Sequence, residues 1–391
     1  MTDLNDLHHL LRQFEAGQLE TNAKKFADLR GHEIFLYGAG NIGKRIYHSL
    51  RANDIAVAGF IDRNSNINLP DIPVPVHLPD DPSLASRRPS CTVILSGLFP
   101  VSTCNEIKAT LGAIGFRNIH AMHEVNFSQV NNGTFREGLF NNAYDRIDLL
   151  GKDQKKLEHA FSLFHDEADR AFFLRYLKAH LTMDYVRLDT PHDIALQYLA
   201  HDIPCTKDYS MLVDCGGYDG DTYRQLIAGG HEVKTLVAFE PQTDLYQRYA
   251  ASVQASSKPP QQAFLFPCGV HSETTQLRFA TCADAKSAGR LSAGGEGTIQ
   301  CVKLDEALQG FAPTFIKMDI EGAETAALRG ATDLITRHGP QLAICVYHGL
   351  SDLWEIPNII SSMRTDYRYH LRSYNYMGLE TVLYAFPASA Y

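Results

Sequence analysis

The 391-residue chain lacks the sequence features of several protein classes. Its eight cysteines form no Cys-x-x-Cys pair, so neither a zinc site nor a disulfide framework is indicated. No apolar run approaches the ~18 residues of a membrane span, and the acidic N-terminus lacks the basic and apolar regions of a signal peptide. A net charge of −9 argues against a nucleic-acid partner, because phosphate backbones attract basic surfaces. We therefore expect a cytoplasmic protein with no membrane span and no bound nucleic acid.

Alternating strand and helix patterns predict an α/β protein with parallel sheets. Residues 1–124 predict a helix followed by a small Rossmann-like domain, and residues 205–391 predict a second α/β domain with an inserted hairpin. Residues 125–204 show few strand signals, and an amphipathic pattern over 155–180 predicts a helical connector. A single helix is also expected over residues 323–338.

One glycine-rich turn follows an apolar strand and is rich in carboxylates. Asp214 ends the strand, and Asp219 and Asp221 follow in the turn. Helix N-termini that bind phosphate keep negative charge away, because their bare backbone N–H groups receive the anion. The acidic turn suits a cationic nucleoside without phosphate instead. S-adenosylmethionine, which carries a sulfonium and an ammonium group, is such a ligand, so the turn predicts methyl transfer.

Neighbouring residues fit the same cofactor. Asp214 can orient its amino acid end, directly or through backbone and water, and glycines at 216 and 217 let the backbone approach a ligand closely. Glu240 ends the next strand and can accept both ribose hydroxyls. Helix capping is an alternative for Asp221 and Thr222, but it does not explain Glu240. The predicted cofactor-binding residues are Asp214, Gly216, Gly217, Tyr218, Asp219, Thr222, Glu240 and Pro241.

Four segments carry a resemblance to a known family. They are Val213-Asp-Cys-Gly-Gly-Tyr-Asp-Gly-Asp-Thr222, Phe239-Glu-Pro241, Val302-Lys-Leu-Asp305 and Phe315-Ile-Lys-Met-Asp-Ile-Glu-Gly-Ala-Glu324. Through them, residues 205–391 resemble the FkbM family of S-adenosylmethionine-dependent methyltransferases. The resemblance implies a seven-stranded class I methyltransferase fold and, most often, O-methylation of sugars or polyketide-type hydroxyls. Many relatives carry Glu near the end of the fifth strand, where this chain has Ile344-Cys-Val-Tyr-His348, so the role of that Glu is not transferred.

The fourth strand of the C-terminal domain predicts where the reaction occurs. Lys317, Asp319 and Glu321 share one face by the two-residue period of a strand. An alcohol must lose its proton as the methyl group arrives, which requires a positioned base or a metal. Asp319 is a candidate base or cofactor contact, Glu321 could orient the substrate, and Lys317 could lower a neighbouring pKa. His348 is the other candidate base, because the ordinary pKa of histidine lies near neutrality.

Other interpretations of these side chains stay open. Helix capping and a simple ion pair would also explain the three residues of the fourth strand. Asp319, Glu321 and His348 could bind Mg²⁺ or Mn²⁺, although no spacing motif indicates a metal site. Near the C-terminus, side chains on one side of a strand would suit a sugar or an anionic group, and a solvated strand face is the alternative. The candidate substrate residues there are His370, Arg372 and Tyr374.

A second glycine loop lies near the N-terminus. Gly38, Gly40 and Gly43 match the dinucleotide fingerprint, and Asp62 ends the next strand, where it could hold a ribose. Only one mononucleotide-binding half follows, so the loop fits a ligand-free domain, a nucleotide-sugar site or an NAD site.

The favoured hypothesis is a methyltransferase that O-methylates a sugar, glycolipid or polysaccharide precursor, with homo-oligomer formation left open. An NAD-dependent nucleotide-sugar oxidoreductase is one alternative. A non-catalytic nucleotide-binding or scaffold protein is the other.

Overall fold

The computed structural model describes residues 2–19, 29–97, 99, 101–125, 152–182, 184–185, 188–280 and 289–391. Across these ranges the chain forms two α/β units with parallel sheets, as the alternating pattern predicts. Residues 126–151, in the first part of the predicted connector, lie outside the described residues. No helix in the described ranges combines the length and the apolar character needed to cross a bilayer.

The strands of the described residues are β1 (Ile34–Tyr37), β2 (Val57–Ile61), β3 (Val76–His77), β4 (Thr92–Leu95), β5 (Asn118–Ala121), β6 (Met211–Cys215), β7 (Thr235–Phe239), β8 (Gln262–Phe266), β9 (Gly269–Val270), β10 (Thr275–Ala280), β11 (Arg290–Leu291), β12 (Gly297–Val302), β13 (Phe315–Met318), β14 (Gln341–Cys345), β15 (Tyr367–Ser373) and β16 (Thr381–Pro387). The α-helices are α1 (Leu4–Glu15), α2 (Asn41–Ala52), α3 (Val101–Ala113), α4 (Gln154–Ser162), α5 (Glu167–Thr182), α6 (Asp221–Ala228), α7 (Thr243–Gln254), α8 (Leu304–Ala307), α9 (Glu324–Arg329), α10 (Thr332–His338) and α11 (Asp352–Met363).

The N-terminal unit is a five-stranded parallel sheet in the order β3-β2-β1-β4-β5. Every residue of β1 and β4 is buried, because both faces of this parallel sheet are covered. The first helix, α1, does not pack on this sheet. Leu7 and Leu11 of α1 bury their side chains with Leu157 of α4 and Phe173 of α5, in the core of the C-terminal unit.

The C-terminal unit is a seven-stranded sheet in the order β15-β16-β14-β13-β6-β7-β8. The five strands from β14 to β8 are parallel, and β16 runs antiparallel to both β14 and β15. The carboxyl ends of β6, β7, β13 and β14 therefore meet at one edge. The inserted hairpin belongs to a separate four-stranded sheet, in the order β11-β10-β12-β9, beside that edge.

Two helices predicted as continuous are each broken into two. The helix predicted over 323–338 becomes α9 and α10, because the chain must pass close to another segment at Gly330, where a Cβ would lie 2.2 Å from the His271 carbonyl oxygen. Asp305 then accepts the backbone N–H of Leu334 at 2.9 Å near the start of α10. The helix predicted over 155–180 becomes α4 and α5, and Asp166 caps the second by accepting the N–H of Ala168 at 2.8 Å.

Candidate functional site

A cavity of about 450 Å³ lies beyond the carboxyl ends of β6, β7 and β13. Open α/β sheets bind ligands at this edge, and ligand sites typically enclose ~300–1,000 Å³. The turn after β6 forms one wall, and the inserted sheet of β9 to β12 forms the opposite wall. The predicted residues that line the cavity are Gly216, Tyr218, Thr222, Glu240, Pro241, Lys317, Asp319 and Glu321, together with Asp221 of the acidic turn. Parallel α/β sheets with a ligand-sized cavity at this edge are typical of proteins that bind a small molecule there.

Asp214 does not line the cavity but is buried beneath it. Its Oδ1 lies 3.1 Å from Lys317 Nζ, and its Oδ2 accepts the Tyr249 hydroxyl at 2.9 Å. Lys317 also donates to the carbonyl of Gly216 in the glycine turn. Burial disfavours the charge of Lys317, but the carboxylates of Asp214, Asp319 and Asp221 raise its pKa above the ordinary value. The pair therefore fastens the glycine turn to β13, and Asp214 can act on a ligand only through that turn.

The turn glycines are required by contacts within the protein. Gly216 has a φ of 78°, and a Cβ there would lie 1.8 Å from the Asp319 carbonyl oxygen. A Cβ at Gly217 would lie 2.5 Å from the Tyr249 ring. Asp219 pairs with Arg224 at 2.6 Å and does not line the cavity. Close packing therefore explains both glycines without a ligand, and their predicted contact with the cofactor stays a prediction.

Glu240 accepts a hydrogen bond from the glycine turn after β6 and lines the cavity. One carboxylate oxygen accepts the N–H of Tyr218 at 3.0 Å, and the other accepts the N–H of Gln242 at 2.8 Å. Burial raises the pKa of Glu240 to about 7, against the lowering effect of these two hydrogen bonds and of Lys317. Each oxygen keeps a second lone pair, so the carboxylate can still accept ligand hydroxyls.

Asp319 is held by two tyrosine hydroxyls that the sequence prediction missed. Tyr198 donates to its Oδ2 at 3.0 Å, and Tyr347 donates to its Oδ1 at 3.2 Å. Burial would raise the pKa of Asp319, but Lys317, His348 and the two hydroxyls lower it below the ordinary value. A carboxylate stabilised in this way is a weak base. Asp319 is better suited to binding and orientation than to taking the acceptor proton.

Glu321 has the opposite character. Its backbone is left-handed, with a φ of 57°, and its partly exposed side chain lines the cavity. Burial raises the pKa of Glu321 to about 7, although nearby His348 partly opposes the shift. A base with a pKa near the working pH is the most effective proton acceptor. Glu321, predicted as a substrate-orienting residue, is therefore the stronger candidate for the base.

His348 lies among three carboxylates and does not line this cavity. Its Nε2 is 3.6 Å from both Asp319 Oδ1 and Glu321 Oε2, and its Nδ1 is 3.1 Å from Oε1 of the fully buried Glu324. Burial opposes the charge, but Glu324, Asp319 and Glu321 raise the pKa of His348 to about 10. An imidazolium at neutral pH cannot accept a proton, so the predicted base role does not fit.

The same charge bears on the predicted metal site. Ligand atoms of Asp319, Glu324 and His348 lie within 4.8 Å of one another, so Glu324 takes the place that the prediction gave to Glu321. A metal ligand must be the neutral imidazole, since the protonated ring offers no lone pair. The raised pKa of His348 therefore opposes metal binding here, and the metal stays a prediction.

We expect the contribution of His348 to stability to depend on pH. Because its folded-state pKa is raised, that contribution is fully present below the ordinary histidine pKa of about 6.5 and is lost as the pH rises through about 10. The difference in the free energy of unfolding between wild type and His348→Gln should therefore be largest near pH 6 and shrink steadily up to pH 10. Urea denaturation at a series of pH values measures it, and a difference that does not change would contradict the cationic ring.

The candidate substrate residues near the C-terminus contact other parts of the protein. Asp169 of α5 accepts from both His370 and Arg372, at 2.8 and 2.6 Å. The Tyr374 hydroxyl is 2.7 Å from that of Tyr384 in the core. None of the three predicted residues lines the 450 Å³ cavity. His370 and Arg372 join β15 to α5, and Tyr374, directly after β15, bonds within the core.

Asp62, the predicted ribose-binding residue beside the N-terminal glycine loop, accepts hydrogen bonds from the protein's own backbone. Asp62 accepts the N–H of Ala39 at 2.9 Å with Oδ2 and the N–H of Asn64 at 3.0 Å with Oδ1. Gly43 is needed for packing, because a Cβ there would lie 2.0 Å from the Gly38 carbonyl oxygen. These contacts explain Gly43 and Asp62 without a ligand, whereas a Cβ at Gly40 would meet no atom within 4 Å.

Residues 214–376 match the family model described as the methyltransferase FkbM domain, so this part of the chain is similar to the methyltransferase domains of that family. In structure the chain is similar to methyltransferase FkbM from Methylobacillus flagellatus KT, at 20% identity and a TM-score of 0.64, with 97% of this chain and 98% of that chain covered. This similarity shows a shared fold across both units. A lower similarity, at 9% identity and a TM-score of 0.28, joins 46% of this chain to 67% of Aeropyrum pernix fibrillarin in complex with S-adenosyl-L-methionine. No curated protein matches the chain.

Proposed function

We propose that the protein transfers a methyl group from S-adenosylmethionine to a hydroxyl of a sugar or sugar-containing precursor. The observation that carries the proposal is the cavity that extends from Glu240 to Glu321. At one end a carboxylate beside the glycine turn can accept the hydroxyls of a ribose. At the other end a carboxylate with a pKa of about 7 can accept a proton. The first group would serve the methyl donor and the second the acceptor.

The charge of the cavity supports a cationic donor. Asp221, Glu240, Asp319, Glu321 and Glu380 line it and outnumber the two cations, Arg290 and Lys317, and the charge of Lys317 is directed to Asp214 and the Gly216 carbonyl. A pyrophosphate would be repelled by this surface, while a sulfonium nucleoside would be attracted. The end of the cavity formed by the inserted sheet, with Val270 and Ile299, offers apolar surface for a nucleobase.

The reaction itself requires alignment more than covalent catalysis. The acceptor oxygen forms a bond to the methyl carbon while the carbon–sulfur bond breaks, and S-adenosylhomocysteine leaves with the electron pair. The hydroxyl proton passes to the carboxylate of Glu321. Asp319, fixed by Tyr198 and Tyr347, orients the reacting groups.

The described residues of the N-terminal unit do not favour the alternative of a nicotinamide enzyme. In the N-terminal unit both carboxylate oxygens of Asp62 accept backbone N–H groups. Beyond the ends of β4 and β5, Tyr376 and Met377 from the C-terminal unit line a cavity of only about 10 Å³. This volume accommodates roughly one water molecule, far less than a dinucleotide.

We expect Glu240→Ala to weaken the binding of S-adenosylhomocysteine by about tenfold to a hundredfold, since hydrogen bonds to a charged group contribute about 1.5–3 kcal/mol. Calorimetric titration of wild type and variant measures the change. Asp219→Ala is the matched control, because Asp219 belongs to the same turn but pairs with Arg224 outside the cavity. Equal losses in the two variants would show that Glu240 does not contact the cofactor.

A further inference from the structure

The turn between β15 and β16 reaches the acceptor end of the cavity. Glu380, which directly precedes β16, lines the cavity beside Asp319 and Tyr347. Its backbone is left-handed, with a φ of 54°, a conformation that a non-glycine residue keeps only where its surroundings hold it. Gln197 donates to its Oε2 at 3.0 Å and fixes the direction of the carboxylate.

The N-terminal unit holds the same turn. The ring of Tyr376 stacks on His123, with centroids 3.6 Å apart and planes 11° from parallel. Met377 is buried in the core of the N-terminal unit, in a cluster that includes Ile46 of α2. Gly378 fits closely against α5, where a Cβ would lie 2.6 Å from the Tyr176 ring. The turn that carries Glu380 is therefore held between the N-terminal unit, through Tyr376 and Met377, and α5 of the C-terminal core, through Gly378.

This contact occupies the place where an α/β domain usually binds a ligand. Such ligands bind beyond the carboxyl ends of the strands. Tyr376 and Met377 occupy that place beside Gly97 after β4 and Met122 after β5. The N-terminal unit thus receives a turn of the C-terminal unit where a related domain would receive a nucleotide.

The acceptor end of the cavity carries an excess of negative charge. Asp319, Glu321 and Glu380 all line it. Burial and the neighbouring Asp319 raise the pKa of Glu380 to about 7, so an incoming cation would stabilise its ionised form. The nearby positive charges are those of Lys317, His348 and Arg290, and they are outnumbered by the five carboxyl groups of Asp214, Asp319, Glu321, Glu324 and Glu380. An anionic acceptor would be repelled here, and a cationic one would be attracted.

We propose that Glu380 is a specificity-determining residue that receives a protonated amino group of the acceptor, and that the N-terminal unit positions it by holding Tyr376 and Met377. The proposal rests on the proposed function, because it assigns a substrate class to the same cavity. The acceptor is then a hydroxyl compound with a basic nitrogen nearby, as in an amino sugar. The N-terminal unit acts as a support for the acceptor site.

The test uses two sugars that differ in charge. D-Glucosamine and N-acetyl-D-glucosamine are titrated into the full-length protein saturated with S-adenosylhomocysteine, at pH 7. Because a hydrogen bond to a charged group contributes about 1.5–3 kcal/mol, glucosamine should bind at least about tenfold more tightly. Glu380→Gln keeps the shape and removes the charge, so it should abolish the preference while cofactor affinity stays unchanged.

Three substitutions test the role of the N-terminal unit. Tyr376→Ala removes the stacked ring and should reduce the preference for glucosamine, whereas Tyr376→Phe keeps the ring and should retain it. His123→Ala removes the same contact from the other unit and provides the test if Tyr376→Ala fails to fold.

Equal affinity for the two sugars in wild type, or binding of neither, would overturn the assignment of an amine, as would a preference that survives Glu380→Gln. A preference that survives both Tyr376→Ala and His123→Ala would overturn the positioning role. Failure of the wild type to bind S-adenosylhomocysteine would instead refute the proposed function.

Discussion

Asp214→Ala is expected to lower the free energy of unfolding by about 3–5 kcal/mol, the usual result of removing one partner of a buried ion pair. Both side chains of the pair are almost completely buried, with 0% exposure for Asp214 and 3% for Lys317. The substitution leaves the lysine charge without its partner and the Tyr249 hydroxyl without its acceptor. Denaturation by urea, followed by circular dichroism, measures the change.

Two variants separate the buried charge from other effects. Asp214→Leu combined with Lys317→Met removes both charges together, and such replacements are often neutral or stabilising. The double variant should therefore regain most of the stability that Asp214→Ala loses. Asp219→Ala breaks the exposed pair with Arg224 in the same turn and should cost no more than about 1 kcal/mol. A loss in Asp214→Ala no greater than in Asp219→Ala would show that the pair does not hold the turn.

Glu321→Gln is expected to lower kcat by a factor of about 10²–10⁴, the range for loss of a general base. The amide keeps the size of the side chain but cannot take the proton of the acceptor hydroxyl. Because Glu321 lies at the acceptor end, the affinity for S-adenosylhomocysteine should stay within about twofold of wild type. Turnover is measured as transfer of labelled methyl to an acceptor found by screening nucleotide-sugars and glycan extracts.

The pH dependence of the wild type should carry the signature of Glu321. The ionised form is the base and its pKa is about 7, so kcat should rise with pH through about 7 and level off above it. The charged groups around Glu321 are His348, Asp319, Glu324 and Arg290. The measurement uses saturating substrate concentrations, so that effects of Glu240 and Glu380 titration on binding do not contribute to the rise in kcat. The Glu380→Gln variant should show the same rise. Loss of less than tenfold in kcat on Glu321→Gln, or a rise that survives this substitution, would remove Glu321 as the base.

Much of the fold could be predicted because its signals are local. The apolar stretch that becomes β6 and the glycine turn after it lie side by side in the sequence. Alternation of such strands with helices indicates parallel sheets, whose carboxyl ends gather at one edge. The sequence therefore predicts that Lys317, Asp319 and Glu240 lie in the same region.

What could not be predicted depends on contacts between distant segments. The break between α9 and α10 results from the approach of His271 to Gly330, about sixty positions apart in the sequence, which no local pattern reveals. Tyr198 lies in the predicted connector, so nothing in its surroundings indicates a bond to Asp319. Burial raises the pKa of both Asp319 and Glu321, but Lys317, His348 and two tyrosine hydroxyls reverse the shift only at Asp319, although the two residues lie two positions apart.

The most direct test of the central claim is a pair of calorimetric titrations of the wild-type protein, one with S-adenosylhomocysteine and one with NADH. The 450 Å³ cavity and its acidic wall predict saturable binding of one S-adenosylhomocysteine per chain and no binding of NADH. Binding of NADH without binding of S-adenosylhomocysteine would contradict the proposed methyl transfer and would make the N-terminal unit the ligand-binding part of the protein.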